Sequence, residues 1–437
     1  MSEWEFQPLG HLTVLLKDGT HGSYSDCEDG IPLLSAKDIE KGKVQVPDDC
    51  RKISLESYKS IHSTYELEEF DILLTIVGTI GRSAVFNKIN HKITFQRSVA
   101  IIRIDRNRLY PIYGYHYINS FEFQQHLESF KNASAQGGVY LGALNKIPLF
   151  FPTSLAEQRK IARILSTVDV VIEKTEAAIA KYKAIKAGMM RDLFTRGIDR
   201  ATGKLRPSYE EAPQLYKQTE LGWMPKEWDV PQIDNIAVHV GSGITPTGGS
   251  NVYKNEGVLF IRSQNVHFHG LHLDDVAFIE KDMHNMMERS KVRPFDVLLN
   301  ITGASIGRVC YFPESLIEAN VNQHVCIIRV SNPTKSKSLY LSTFLSSTFG
   351  QNQIDRLNAG GNREGLNYQQ LRAFYIPWPE QDIEIEKAAN SFISINRKID
   401  TEIYYCEKTK LLKQALMSDL LTGRIRVKYE EEKAEVM

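Results

Sequence analysis

Residues 154–196, SLAEQRKIARILSTVDVVIEKTEAAIAKYKAIKAGMMRDLFTR, place Ile161, Leu165, Val168, Ile172, Ile179 and Tyr182 at steps of three, four or seven. Such spacing gives a helix one apolar stripe to lay against another helix. Ser154 and Glu157 stand at capping-box spacing, and the run meets no Gly or Pro before Gly188. Gly197 then ends it as a C-cap would. A helix of about 40 residues is roughly 60 Å long, the length of a coiled-coil arm rather than of an ordinary globular helix. Residues 380–422 repeat the pattern, with Phe392, Ile395, Ile399, Ile403 and Cys406 on one stripe and Leu412, Leu416 and Leu420 continuing it. The two helices are expected to pair with each other. Glu380-Gln381 stands four residues further from its heptad run than Glu157-Gln158 does, which predicts about one extra turn at the start of the second helix.

The segment before each helix alternates differently. Residues 31–34, 71–77 and 99–104 are short runs rich in β-branched residues between turn formers, and a helical patch covers 113–130. The same runs return later. Residues 70–74 (FDILL) match 295–299 (FDVLL), 78–82 (GTIGR) match 303–308 (GASIGR), and 99–103 match 325–329. The helix endings MRDLFTRG and MSDLLTGR complete the series, so the chain is a duplication. The predicted fold class is α+β: a domain at 1–153, a long helix at 154–197, an irregular linker at 198–222, a second domain at 223–379, a second long helix at 380–424 and a tail at 425–437. Between the anchors the copies differ, most of all at 15–29 against 240–256.

Composition narrows the possibilities. Five cysteines (Cys27, Cys50, Cys310, Cys326, Cys406), widely spaced and without a C-x-x-C, read as reduced thiols of a cytoplasmic protein. No apolar run approaches the roughly 20 residues that span a bilayer, and the first residues do not resemble a signal peptide. Net charge is zero, which argues against strong nucleic-acid binding by this chain alone. Only residues 151–222 lean basic, with 13 basic against 9 acidic side chains.

Catalytic motifs are missing. Asn332-Pro333-Thr334 lacks the second proline and the aromatic of an adenine-methyltransferase loop, and the Gly-rich run 241–249 is not a dinucleotide fingerprint. Gly42-Lys43 and Gly203-Lys204 lack the following hydroxyl residue of a P-loop. His267, His269 and His272 beside Asp274 and Asp275 form the nearest approach to a metal cluster, but in a polar turn they read as hydrogen-bonding residues. No catalytic, cofactor or metal site is expected in this chain.

Candidate readers of a base sequence lie where strands run out into turns. Arg262, Gln264 and Asn265 carry the donor and acceptor pairs that match guanine or adenine edges, and Lys37 and Asp38 hold the matching place in the first copy. Arg82 and Arg308 follow tight glycine turns that allow a phosphate to approach. Lys88, Lys92 and Arg97 suit backbone contacts, and Gln323, His324 and Arg363 are further candidates in the second copy. The divergent loops add Thr20, His21, Thr245 and Thr247.

The domain–helix–domain–helix order, the two helix endings, ELGWMPKEWDV at 220–230 and the pair FDILLTIVGTIGR/FDVLLNITGASIGR together resemble the specificity subunit of type I restriction–modification systems, over about residues 4–427. The resemblance implies two target-recognition domains, each reading half of a bipartite double-stranded DNA sequence, and two long helices in an antiparallel coiled coil with pseudo-twofold symmetry. It implies two methyltransferase subunits and motor-nuclease restriction subunits as partners, no membrane, and S-adenosylmethionine, ATP and magnesium held by those partners. Antiparallel helices would put one reader at each end, suited to half-sites about 34–36 Å apart. Two other readings stay open on the sequence: a coiled-coil scaffold with two protein-binding heads, and a self-contained DNA-modifying enzyme.

Overall fold

The computed structural model describes residues 3–87, 92–132, 137–246, 252–358 and 365–430. The chain forms two compact units, Met1–Glu176 with Ile403–Met437, and Ala177–Glu402. Each long helix therefore contributes one half to each unit.

The first unit is built on an antiparallel four-stranded sheet in the order Thr13–Asp18, Val99–Ile104, Ile72–Thr75, Ser83–Val85. Alternation decides its two faces. Ile72, Leu74, Ala100 and Ile102 point into a core shared with the helices Pro111–Ile118 and Phe121–Asn132 and with the long helices. Leu73, Ala84, Val99 and Ile101 point the other way, into a second core under a small sheet in which Ile31–Leu34 runs parallel to Thr94–Phe95. A sheet covered on both faces reads as continuous apolar runs, which is why these strands show no alternation of polar residues. The helical patch predicted at 113–130 is two helices, parted at Asn119-Ser120.

The second unit repeats the design. Its sheet runs Ala237–Ser242, Val325–Val330, Val297–Asn300, Val309–Tyr311, again with one core toward the helices and one toward a smaller sheet. That smaller sheet pairs Val258–Ile261 parallel with Ala319–Val321 and has four strands rather than three. Phe70 and Phe295 both sit at φ 73°, a left-handed conformation costly for an aromatic residue, kept at the same place in both copies. The next residues, Asp71 and Asp296, are buried, and each takes a bidentate guanidinium, from Arg103 (Nε 2.8 Å, Nη2 2.9 Å) and Arg329 (Nε 2.7 Å, Nη2 2.6 Å).

The long helices span Leu155–Thr195 and Asp382–Leu420. In the first unit Asp169 pairs with Lys413 (2.5 Å) and Glu176 with Lys410 (3.0 Å). In the second, Lys398 lies 4.9 Å from the Tyr182 ring and Phe392 packs 5.3 Å from Phe194. In both units one index falls as the other rises, so the helices are antiparallel. Ile161, Leu165, Phe392, Ile399 and Cys406 are buried on the seam, and Val168, Ile172, Ile179, Tyr182 and Ile395 are half-buried. Ile403, expected on the stripe, is 39% exposed, and Leu412 is 53% exposed. The packed stripe runs through Ile399, Cys406, Lys413 and Leu420 at steps of seven, and Leu416 also packs on the first core, as expected.

Two further expectations are corrected. Glu384, not Glu380, takes the place of Glu157: the helices start at Leu155 and Asp382, two residues before glutamates that each meet an arginine, so the second helix has no extra turn. The linker 198–222 is not irregular throughout: Tyr216–Thr219 pairs with Gly222–Pro225 as a hairpin, and Tyr209 stacks on Trp223 at 4.3 Å.

Candidate nucleic-acid interface

Along the strand-end edge of each main sheet, where the two middle strands stop, the two copies share a backbone frame. In the first unit the Ile76 amide donates to Ser98 O (2.9 Å), Val139 to Ile76 O (2.8 Å), Gln96 to Leu34 O (2.8 Å) and Val99 to Gln96 O (3.0 Å). In the second unit Ile301 donates to His324 O (2.9 Å), Leu366 to Ile301 O (2.8 Å), Asn322 to Ile261 O (3.1 Å) and Val325 to Asn322 O (3.3 Å). Val77 bridges to Gly138 and Thr302 to Gly365. The loop leaving the first strand crosses this frame at Gly19 and Gly243, where an added Cβ would lie 2.2 Å from Phe95 O and 1.6 Å from Val321 O. No side chain fits either crossing, so each is a glycine.

This frame gathers part of the predicted set. In the first unit Thr20 donates its amide to Phe95 O (2.8 Å) and accepts from the Arg97 amide (3.0 Å), while its hydroxyl lies 2.5 Å from Tyr24 Oη. His21, exposed, pairs with Asp18 at 2.6 Å. Arg97 is exposed and Val77 is 40% exposed, each one step beyond the pair in which the Ile76 amide reaches Ser98 O. In the second unit Gln323 Oε1 accepts from the Thr245 amide (3.1 Å), and Thr302 Oγ1 lies 2.5 Å from His324 Nδ1. Gln323 Nε2 is 3.4 Å from His324 Nε2. Arg82 is exposed and Arg308 half-buried, each directly after a glycine of positive φ, Gly81 (91°) and Gly307 (84°). These glycines are held alike: Gln124 Nε2 donates to Gly81 O (3.1 Å) and Gln351 Nε2 to Gly307 O (3.0 Å).

Other predicted readers are occupied elsewhere. Asp38 and Asn265 are buried and close matching turns: Asp38 Oδ2 accepts from the Ser35 amide (2.7 Å), and Asn265 Oδ1 from the Arg262 amide (2.9 Å). Asn265 Nδ2 also donates to His272 O (2.9 Å). At 3% and 2% exposure neither side chain presents an edge at the surface of this structure. Arg262 donates to Asp275 O (3.1 Å) and lies 5.8 Å from the Tyr253 ring, while Gln264 Nε2 donates to Asp275 Oδ2 (2.6 Å). Lys37 is exposed on the first of these turns. Lys92 is exposed with its ammonium 5.2 Å from the Tyr58 ring. Lys88, Thr247 and Arg363 lie outside the described residues.

The histidine turn is held by contacts among its own residues. His267 and His272 stack at 3.9 Å and His267 Nε2 is 2.9 Å from Gln264 O. Burial, then Lys186, holds the His269 imidazole below its usual range. Among the described residues no group of three or more His, Cys, Asp or Glu side chains is placed to hold a metal ion.

The sequence reading misses a pair of matched clasps. In the first unit Arg426 makes a bidentate pair with buried Glu157 (2.7 Å twice) and lies 5.5 Å from the Trp4 ring. In the second, Arg206 reaches Glu384 and Glu227 and lies 5.9 Å from the Trp228 ring, whose Nε1 donates to Glu384 Oε2 (3.1 Å). Burial opposes the Arg206 charge, but the two carboxylates outweigh it and raise its pKa. Trp4 and Trp228, 224 residues apart, are the signal that could have revealed them. Thr302 and Val77, next to anchor glycines already aligned, are legible in the same way.

The architecture is that of a duplicated binding protein: one α+β module used twice, with antiparallel long helices packed against each use. A family model for the type I restriction modification DNA specificity domain matches residues 1–181 and 225–409, and the chain belongs to that family. It is 24% identical over 442 residues to a protein described as the MjaX type I restriction enzyme specificity subunit of Methanocaldococcus jannaschii, covering 98% of this chain and 94% of that one. It is 22% identical to the EcoBI specificity subunit of Escherichia coli, over 95% of this chain and 84% of that one. The crystal structure of a type I restriction–modification S subunit from M. genitalium superposes with a TM-score of 0.60 at 15% identity, covering 96% of both chains. The chain is therefore a type I specificity subunit with two DNA-recognition domains. No helix among the described residues is long and apolar enough to cross a membrane.

Proposed function

We propose that this chain reads an asymmetric, two-part duplex DNA sequence, one half-site per domain, and that its helices carry the methyltransferase and restriction subunits of the complex. The observation behind this reading is the repeated edge frame, on which the backbone bonds are kept while Val77, Arg97 and Ser98 give way to Thr302, Gln323 and His324. Readers of two identical half-sites would have no reason to differ there. S-adenosylmethionine, ATP and magnesium belong on the partner subunits, the methylated base is adenine, the complex works in the cytoplasm, and this chain performs no chemistry itself. Helix length sets the spacer between half-sites.

The test is to reconstitute the chain with its methyltransferase partner, modify genomic DNA and map the methylated adenines. A motif of two unlike parts with a fixed gap is expected. A single continuous or palindromic motif would refute the reading.

A further inference from the structure

On the half-site reading, the side chains of the two edge frames divide by task. Both half-sites offer the same sugar–phosphate backbone and different bases. Side chains that serve the backbone should be identical in the two copies, and side chains that serve bases should differ. Arg82 and Arg308 are identical, follow glycines of the same conformation, and are braced through those glycines by Gln124 and Gln351. Positions 77/302 and 97/323 differ, although the backbone hydrogen bonds around them are duplicated.

We propose that Arg82 and Arg308 are phosphate clamps, and that Arg97 with Val77, and Gln323 with Thr302 and His324, are the specificity-determining groups, Arg97 selecting guanine and Gln323 selecting adenine.

The chemistry at each position supports the assignment. An exposed guanidinium presents paired N–H donors that match guanine O6 and N7, and exposed Val77, at the matching step of the neighbouring strand, offers an apolar face that suits a thymine methyl. The Ser98 hydroxyl, on the residue after Arg97, accepts the Ala36 amide at 3.0 Å. In the second unit the amide is oriented before DNA arrives. The Thr245 N–H fixes which end of Gln323 is oxygen. Gln323 Nε2 then faces His324 Nε2 as donor, which makes that ring nitrogen the acceptor and places the proton on Nδ1, directed at Thr302 Oγ1. One N–H and one oxygen lone pair of Gln323 remain, the pair that adenine N7 and N6 require.

The experiment selects a randomised duplex library on the full-length chain bound to its methyltransferase partner, using wild type, Arg97→Gln, Gln323→Arg, Arg82→Ala and Arg308→Ala. Arg97→Gln should lower the preference for guanine at one position of one half-site by about 10-fold and leave the other half-site intact, and Gln323→Arg should do the same for adenine in the other. Arg82→Ala and Arg308→Ala should weaken binding to all sequences alike and reduce the salt dependence by about one phosphate contact each. Unchanged motifs with either reader substitution, or an altered motif with either clamp substitution, would overturn the assignment while leaving the half-site reading in place. A wild-type selection with no two-part motif would sink both.

Discussion

A buried carboxylate survives only with its charge answered, and Asp71 and Asp296 show how closely both copies keep to that rule. Each is at most 1% exposed and is met by one arginine on the central strand. Removing one partner leaves the other charge buried and unpaired, so Asp296→Ala should cost about 3–5 kcal/mol in denaturant unfolding, while replacing Asp296 and Arg329 together with apolar residues should cost far less. Equal losses in the single and double variants would contradict the pairing. His116 makes a different prediction. It is buried against the first long helix, its Nε2 2.9 Å from Ser166 Oγ, with Asp169, Lys413 and Tyr115 around it. Burial first, and Lys413 second, pull its pKa down to about 3. The unfolded imidazole binds a proton near its ordinary pKa of about 6.5, so below that pH the unfolded state holds more protons and stability falls as pH falls toward 3. The slope from this one group is at most about 1.4 kcal/mol per pH unit. Unfolding titrations of wild type and His116→Asn should diverge in slope below pH 6.5 and run parallel above it.

At the scale of elements, each long helix is stopped in the same way and fastened by a tryptophan beside its end. Gly197 (φ 63°) and Gly423 (φ 72°) end the two helices in the left-handed conformation that glycine tolerates best. Their surroundings differ. A Cβ on Gly197 would lie 2.2 Å from Trp228 Cζ2 and Glu384 Oε1, whereas on Gly423 the nearest atoms, in Trp4, are 3.3 Å away. Gly197→Ala should therefore lower stability by more than Gly423→Ala, whose loss should stay near the roughly 1 kcal/mol of the backbone penalty alone. Equal losses would contradict the clasp geometry. The sequence reveals these elements unevenly. The long helices are legible because burial on a fixed period leaves a trace in every turn, the strands because runs buried on both faces are continuously apolar, and the duplication because its anchors recur in order. The phase of the second seam is not, since Ile399, Ile403 and Cys406 satisfy three-and-four spacing whether or not Ile403 is inside, and only packing leaves it 39% exposed. Glu384 escapes notice because the repeated Glu-Gln pair at 380–381 looks like the better match to 157–158, although the glutamate that matters is the one that meets an arginine. Asp38 and Asn265 look like readers because base recognition and turn closure draw on the same residue types. Which task each performs depends on burial, which one sequence does not record.

Across the whole molecule, equal numbers of basic and acidic residues, 53 each, leave no general attraction for a polyanion. The chain alone should bind duplex weakly and lose that binding at modest salt, and addition of the methyltransferase partner should raise affinity and steepen the salt dependence, as titration at several salt concentrations would show. On the proposed reading, specificity rests on a few side chains at the strand ends rather than on bulk charge. The most direct test of two independent readers is to exchange residues 1–153 for the matching domain of a relative with a different target and map the adenines methylated by the reconstituted complex. One half of the motif should change, with the other half and the gap retained. A motif altered in both halves, or in neither, would contradict the account.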